Sequence, residues 1–303
     1  MDYIIKELAE DFHVKELLDP VLGEGDYCYF ALRKSNWNTL NAIRIISQRL
    51  HISSKDIGYA GNKDKKALTE QVISLRNIAP GDALKLQIPE INLFYLGKGK
   101  ERITLGSHRG NVFRIVVRNL SEKITLSAKS IKNYVDDQRF GNNGMNVEIG
   151  RAIIHRDFKK ACEFLKLEVR ENDCIGALRT VDRRLLRLYV SAYQSYLWNK
   201  AASGLTKGDS LAVVGYLTPE KEVRKYYVDA LSNDGITQMD FLLREMPELS
   251  TEGSTRKLFA EAKNFKAVFG ADELHEGKHK ATLEFELGKG VYATEVVKQL
   301  FNI

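Results

Sequence analysis

Residues 280–290 read KATLEFELGKG, and this stretch decides how the whole chain is folded. Leu283, Phe285 and Leu287 alternate with Thr282, Glu284 and Glu286, the period-two pattern of a strand with one dry face and one wet face. From about residue 151 to this point the chain reads as mainly helical. A strand placed there leaves its backbone N–H and C=O groups without local partners. The expectation is that it completes a sheet begun near the N-terminus, so that the middle of the chain is an insertion.

The N-terminal half supplies the other strands. DYCYFALRK (26–34), EQVISLR (70–76), INLFYLGK (91–98) and NVFRIVVRNL (111–120) are rich in aromatic and β-branched residues. Between the first two, SNWNTLNAIRIISQRL (35–50) spaces Trp37, Leu40, Ile43, Ile46 and Leu50 three to four apart. This predicts an amphipathic helix capped by Ser35 or Asn36. TLSAKSIKNYVDDQRF (125–140) is expected to begin as a helix and stop before the turn GNNGMN (141–146). Further on, IGRAIIHRDFKKACEFL (149–165) and DRRLLRLYVSAYQSYLWNKAAS (182–203) predict helices, GDSLAVVGYLTPE (208–220) a short strand pair, and 235–259 a mixture of turn and helix. VYATEVVKQLFNI (291–303) closes the chain in strand–helix fashion. No internal repeat or low-complexity linker is present. The expected fold is α/β of the α+β kind: a mixed, largely antiparallel sheet with flanking helices in 1–150 and 252–303, and an inserted, mostly helical domain in 151–251.

The chain has 303 residues, 44% of them hydrophobic and 28% charged, which fits a globular protein and not a disordered one. No run reaches the roughly 18 apolar residues of a membrane span. MDYIIKELAEDF is too acidic for a signal peptide. Cys28, Cys162 and Cys174 are odd in number and lack metal-type spacing, so reduced thiols and a cytoplasmic protein are expected. The formal net charge is +6. More telling is its clustering: Lys63, Lys65, Lys66, Lys98, Lys100, Arg102, His108, Arg109 and Arg114 fall in two neighbouring stretches, and Arg179, Arg183, Arg184 and Arg187 in a third. Phosphate neutralisation needs such clusters, although a solvated surface produces them too.

Within the first cluster, GYAGNKDKKALTEQ (58–71) places Asp64 among Lys63, Lys65 and Lys66 behind Gly58 and Gly61. A carboxylate among cations is favoured in its ionised form, fit for a base or a nucleophile. The plain alternative is a turn aspartate with lysines facing water. No Gly-Lys-Ser/Thr follows, so this is not a phosphate loop, and no dinucleotide fingerprint occurs elsewhere. LGSHRGNVFRIVVR (105–118) sets His108, Arg109 and Asn111 before a strand, with Phe113, Ile115 and Val117 on one face and Val112, Arg114, Val116 and Arg118 on the other. Phe113 beside Asn111 can serve as a base-stacking platform or as an ordinary core residue. In helix 182–203 the spacing makes most of Tyr189, Tyr193, Tyr196 and Trp198 core, with Arg183, Arg184 and Arg187 as possible phosphate grips. His275 and His279 are four apart, but HEGKH contains a glycine and lacks further ligands, so no metal is assigned.

Together these segments resemble the TruD family of tRNA pseudouridine synthases almost end to end. EDFHVKE (10–16) looks like the family's Pro-Glu-Asp-Phe-x-Val-x-Glu segment, and GYAGNKDKKALTEQ matches its central signature nearly position by position. GSHRGNVFRI resembles its second signature and NYVDDQRFG (133–141) its Asn-Tyr-Phe-Gly-Glu-Gln-Arg-Phe-Gly; YVSAYQSYLWN, GDSLAVVG and FELGKGVYATEVVKQL are similar to the insertion and the closing segment. Three departures stand out: Ala9 and Gly288 where the family has proline, and Val135-Asp136-Asp137 where it has Phe-Gly-Glu. The middle region also looks short.

The resemblance implies that Asp64 is catalytic, with Asn111 and Phe113 its partners and those of the target base. It also implies tRNA as substrate through a uridine of the D arm, and no cofactor or metal; Lys63, Lys65, Lys66, His108, Arg109 and Arg139 are the phosphate contacts expected beside it. Lys6 and Arg114 are both candidates for the basic partner of Asp64. The alternative is a non-catalytic RNA-binding protein or chaperone on the same scaffold.

Overall fold

The computed structural model describes residues 3–128 and 131–301. In chain order its regular elements begin with β1 (Phe12–Leu17), β2 (Tyr27–Ser35), α1 (Thr39–Arg49), β3 (Ile57–Tyr59), β4 (Leu68–Arg76), α2 (Pro80–Leu84), β5 (Ile91–Gly99) and β6 (Gly110–Leu120). Next come β7 (Ile131–Lys132), α3 (Asp137–Phe140), α4 (Met145–Ile154), α5 (Phe158–Leu165), α6 (Cys174–Arg179), α7 (Arg183–Ser203), β8 (Ser210–Val213), α8 (Glu220–Tyr226) and α9 (Val228–Asn233). The last are β9 (Ser254–Lys257), β10 (Phe259–Ala260), β11 (Lys263–Ala271), β12 (His279–Gly288) and α10 (Ala293–Leu300).

The described residues form two compact units, one made of those up to 128 and those from 261 onward, the other of 131–260. The first unit holds an eight-stranded sheet in the order β11-β12-β6-β1-β4-β2-β5, with β3 beside β4. All its pairings are antiparallel except β1 with β4. The parallel pair is possible because β2, α1 and β3 form the long crossover that parallel neighbours require. β12 does complete the N-terminal sheet, lying between β11 and β6 with Phe285 opposite Phe113 and Leu287 opposite Asn111.

Register decides which side chains share a face. Phe12, Val14 and Glu16 of β1 oppose Ile115, Phe113 and Asn111 of β6. Val14 pairs with Thr69, which pairs with Lys34, and Gln71 pairs with Leu32. One face of the sheet therefore carries Phe30, Leu32, Lys34, Thr69, Gln71, Phe12, Val14, Glu16, Asn111 and Phe113. Over its β2–β4 part lies α1, whose Ala42, Ile43 and Ile46 pack with Phe30, Leu32 and Ile73. The helix begins at Thr39 and its cap is Asn38, which accepts from the Asn41 N–H. The cap is later than Ser35 or Asn36 because Ser35 still belongs to β2.

The second unit is built on α7, whose Leu186, Tyr189, Val190, Tyr193, Leu197 and Trp198 are buried at helical spacing, in one cluster with Ile149 and Ile153 of α4. Gly150 lets these helices touch: a Cβ there would lie 2.1 Å from the Tyr189 carbonyl oxygen.

The structure departs from expectation in three places. The helix predicted from 125 is absent from 125–128 and from 131–136; residues 129 and 130 lie outside the described residues. In its place β7 pairs with β10, Asn133 donates to the Lys257 carbonyl, and Asn199 brackets the Val135 backbone at both N–H and C=O. These long-range partners override the local helical pattern. Consequently the division falls near 130 and after Ala260, not at 150 and 252, because β7, α3, α4 and β9 are held by the α7 unit. Finally, GDSLAVVGYLTPE supplies only β8, whose partner is the distant β9 and not a hairpin neighbour.

Candidate active site

The turn between β3 and β4 carries Asp64, and several of its backbone groups are pinned by side chains from outside it. Gln71 Nε2 donates to the Gly61 carbonyl at 3.1 Å, and the Lys63 N–H donates to Thr39 Oγ1 at 2.9 Å. Thr39 Oγ1 in turn donates to Gln71 Oε1 at 2.8 Å. The Lys63 ammonium meets Glu16 at 2.7 Å with both side chains buried, while the other Glu16 oxygen accepts from the Val72 N–H at 3.2 Å. Lys34 Nζ lies 3.4 Å from the Asp64 carbonyl. At about 1 kcal/mol net for each hydrogen bond, and more for the charged ones, this set fixes the turn against thermal rearrangement. Gly58 is demanded by close approach, since a Cβ would sit 2.4 Å from the Ile103 carbonyl oxygen. At Gly61 a Cβ would reach only ordinary contact with His108, so that glycine answers to no steric demand.

The Asp64 carboxylate accepts from Lys6 Nζ at 2.6 Å, and its side chain keeps 35% of its exposure. Lys6 is therefore the basic partner; Arg114 instead faces Glu284 at 3.8 Å. Lys6 has a left-handed backbone, φ +57°, which is costly for a residue with a side chain. Its neighbours hold it there. Ile4 bridges to Arg118 through two backbone hydrogen bonds, the Leu8 N–H donates to Asp11, and Glu7 meets His275 at 2.8 Å. Arg118 is buried with Asp11 on one side and Asp272 on the other.

Two routes of contact join Asp64 to the other candidates. The Lys6 ammonium stands 4.2 Å from the Phe12 ring centroid, and Phe12 meets Phe113 edge-on at 6.2 Å. On the other side Lys63, next to Asp64, binds Glu16, and Glu16 lies opposite Asn111 in the β1–β6 register. The Asn111 amide oxygen is buried and has no hydrogen-bond partner among the described residues, an acceptor held in reserve. Phe113 is only 7% exposed and stacks on Phe285 at 5.6 Å. It is thus a core residue, one contact away from Lys6 through Phe12.

The proposed phosphate contacts divide. Lys65, Lys66 and Arg109 are exposed; Arg109 carries only a solvent-exposed pair with Asp19 at 2.6 Å. Lys63 differs from that expectation: its side chain is 6% exposed and committed to Glu16, so its ammonium is not open to a phosphate. His108 also differs from a phosphate-gripping cation, because burial and then the Lys63 charge push its imidazole below the usual value and leave it neutral at pH 7. Arg139 belongs to the second unit and donates to Ser191 Oγ at 2.8 Å. On and beside α7, Arg183 and Arg184 are exposed, while Arg179 and Arg187 are tied to Glu248. Among the described residues no group of three metal-type ligands occurs.

Sequence reading missed Glu16, Lys34, Thr39 and Gln71. The signal was present: in β2, Lys34 is in phase with Cys28, Phe30 and Leu32, and in β1 Glu16 is in phase with Phe12 and Val14. A polar residue in phase with a buried row is an inward-facing polar residue.

The family model of tRNA pseudouridine synthase D (TruD) matches residues 1–166, 164–210 and 209–300. The chain belongs to the TruD family. A Methanosarcina mazei protein named "Probable tRNA pseudouridine synthase D" is 27% identical over 409 aligned positions, covering 99% of this chain and 93% of the relative. The tRNA pseudouridine synthase D of Geobacter metallireducens is 28% identical over 391 positions, covering 98% and 94%. A crystal structure of the "Putative tRNA pseudouridine synthase D (TruD)" from Methanosarcina mazei superposes with a TM-score of 0.77 at 25% identity, over 99% of this chain and 93% of that one. These alignments run to 409 positions against 303 residues here, so TruD relatives carry stretches this chain lacks. Both joins of the family match fall in the second unit, where the sequence looked short. No described helix is long and apolar enough to cross a membrane.

Proposed function

We propose that this chain isomerises a uridine of tRNA, in the D arm, to pseudouridine, with Asp64 as the catalytic residue. The observation that carries the reading is a one-third-exposed carboxylate clamped by Lys6 on a turn whose backbone is held by Thr39, Gln71 and Lys34. A surface aspartate would need no such support, and a pure RNA binder gains nothing from a carboxylate among phosphates.

Isomerisation breaks the bond from N1 to C1′ of the ribose, turns the uracil, and joins C5 to C1′; N1 gains a proton and C5 loses one, so no electrons are exchanged. Asp64 attacks the sugar or removes a proton from it, which are the two roles open to one ionised carboxylate. The base must first leave the stack, at a cost of about a few kcal/mol. Contact with the Phe12–Phe113 wall offsets part of this, at roughly 1–3 kcal/mol per stacked base. The unpartnered Asn111 oxygen is suited to accept from uracil N3–H. The exposed Lys65, Lys66 and Arg109 hold flanking phosphates. Cytoplasmic residence, in keeping with the unpaired cysteines, completes the proposal.

The test is tritium release from tRNA transcripts labelled at uridine C5, since product formation must expel that hydrogen. Release by the wild type and its loss in Asp64→Asn, with tRNA binding retained, is the expected result. Binding without release from any tRNA would favour the non-catalytic RNA-binding reading.

A further inference from the structure

Lys34 is the one large cationic side chain on the inward face of β2. It is 1% exposed. The other buried cations each have a carboxylate: Lys63 has Glu16, and Arg118 has Asp11 and Asp272. Lys34 has none within ion-pairing distance among the described residues; its ammonium donates to two main-chain carbonyls, Trp37 at 2.6 Å and Asp64 at 3.4 Å. A buried charge without a counter-ion is costly, and a methionine of similar length would fill the same space without that cost. The two acceptors show what the charge does. Trp37 lies at the entry to α1 and Asp64 on the β3–β4 turn, so one ammonium ties both to β2.

We propose that Lys34 is a positioning residue for the reaction: it holds the main chain of Asp64 while Lys6 holds the carboxylate, and it acts in its charged form. The inference rests on Asp64 being catalytic. The charged groups that face Lys34 are Asp64, which attracts it, and Lys63, which repels it; its strand partners Thr69 and Ile91 are uncharged. Burial, helped by the Lys63 charge and opposed by the pull of Asp64, lowers its pKa to about 8. The ammonium is thus present below about pH 8 and lost above it, within the range where the folded enzyme can be assayed.

The experiment compares the wild type, Lys34→Met and Asp64→Asn in tritium release from C5-labelled tRNA between pH 6.5 and 9, alongside tRNA binding and thermal unfolding. Displacement of a catalytic group by about 1 Å costs roughly 10²-fold. Lys34→Met is expected to lower kcat by about that factor at pH 7 while changing tRNA affinity by less than about threefold. The wild-type rate is expected to fall as pH rises through about 8, and that fall is expected to be absent from Lys34→Met, which also cancels any titration of the RNA itself. A folded Lys34→Met with wild-type kcat, or one that keeps the alkaline fall, overturns the proposal. If Lys34→Met does not fold, the wild-type profile decides: a rate that stays level from pH 7 to 9 overturns it. Asp64→Asn separates the premises, because activity surviving in that variant removes the function proposed for Asp64, whatever Lys34 does.

Discussion

Lys6 and Asp64 meet at 2.6 Å across 58 positions of sequence, and the proposed chemistry rests on this pair. With a third of the carboxylate open, the pair is too screened to count for much in folding; its value lies in aim. Lys6→Met is therefore expected to leave urea stability within about 1 kcal/mol while reducing tritium release roughly 10²-fold. A variant that loses activity only in proportion to lost folded protein would refute this. The family departure at 135–137 also becomes clear at this scale. Val135 is a buried residue held by Asn199, and Asp136 caps α3 through the Gln138 N–H, so both positions serve local structure.

Among the elements, β6 joins the site to the segment that carries Lys6. Its Asn111 and Phe113 lie opposite Glu16 and Val14 of β1, and its far end holds Arg118 between Asp11 and Asp272. Removing one partner from a buried ion pair costs about 3–5 kcal/mol, and Arg118→Met should be destabilised by that order in urea denaturation. The same cluster makes stability sensitive to acid. Burial alone would raise the Asp272 carboxyl, but the N–H groups of Asn119 and Leu274 and the Arg118 guanidinium outweigh it and hold the group below its ordinary value. A carboxylate depressed in the folded state gives its full stabilisation above the unfolded value, about pH 4, and loses it as pH falls through the lower folded one. Unfolding midpoints should accordingly drop below about pH 4, and Asp272→Asn, less stable at pH 7, should show a shallower acid slope. An unchanged slope would assign the acid sensitivity elsewhere.

For the whole molecule, the net charge of +6 matters through where it is exposed. Lys65 and Lys66 flank the accessible carboxylate, whereas Lys63 and Lys34 are spent internally. Each phosphate contact contributes roughly one unit to the salt dependence of binding. Replacing Lys65 and Lys66 together by Gln should thus reduce the slope of log affinity against log salt by about two, while Lys63→Met should leave it unchanged. A Lys63 variant with a reduced slope would return that residue to the RNA surface.

The sequence by itself determined five strands of the main sheet, at 26–34, 70–76, 91–98, 111–120 and 280–290, because apolar and β-branched runs are local patterns, whereas β1, β3 and β11 were not read from it. It also singled out Asp64 as a candidate, because an acid among lysines behind a glycine turn is a local pattern, while the catalytic role expected of it came from the family resemblance. Only the tertiary structure decided the partners. Lys6 meets Asp64, Glu16 meets Lys63, Gln71 holds Gly61 and Asn199 holds Val135 at separations that no local pattern encodes. Charge type was legible, but burial was not: Lys63 and Lys65 look alike in sequence, yet one is shut beneath the sheet face and the other stands in solvent. The same holds for 125–136, where helical composition yields to β7 and its side-chain clamps. Propensity is worth tenths of a kcal/mol per residue, and a set of long-range hydrogen bonds outweighs it.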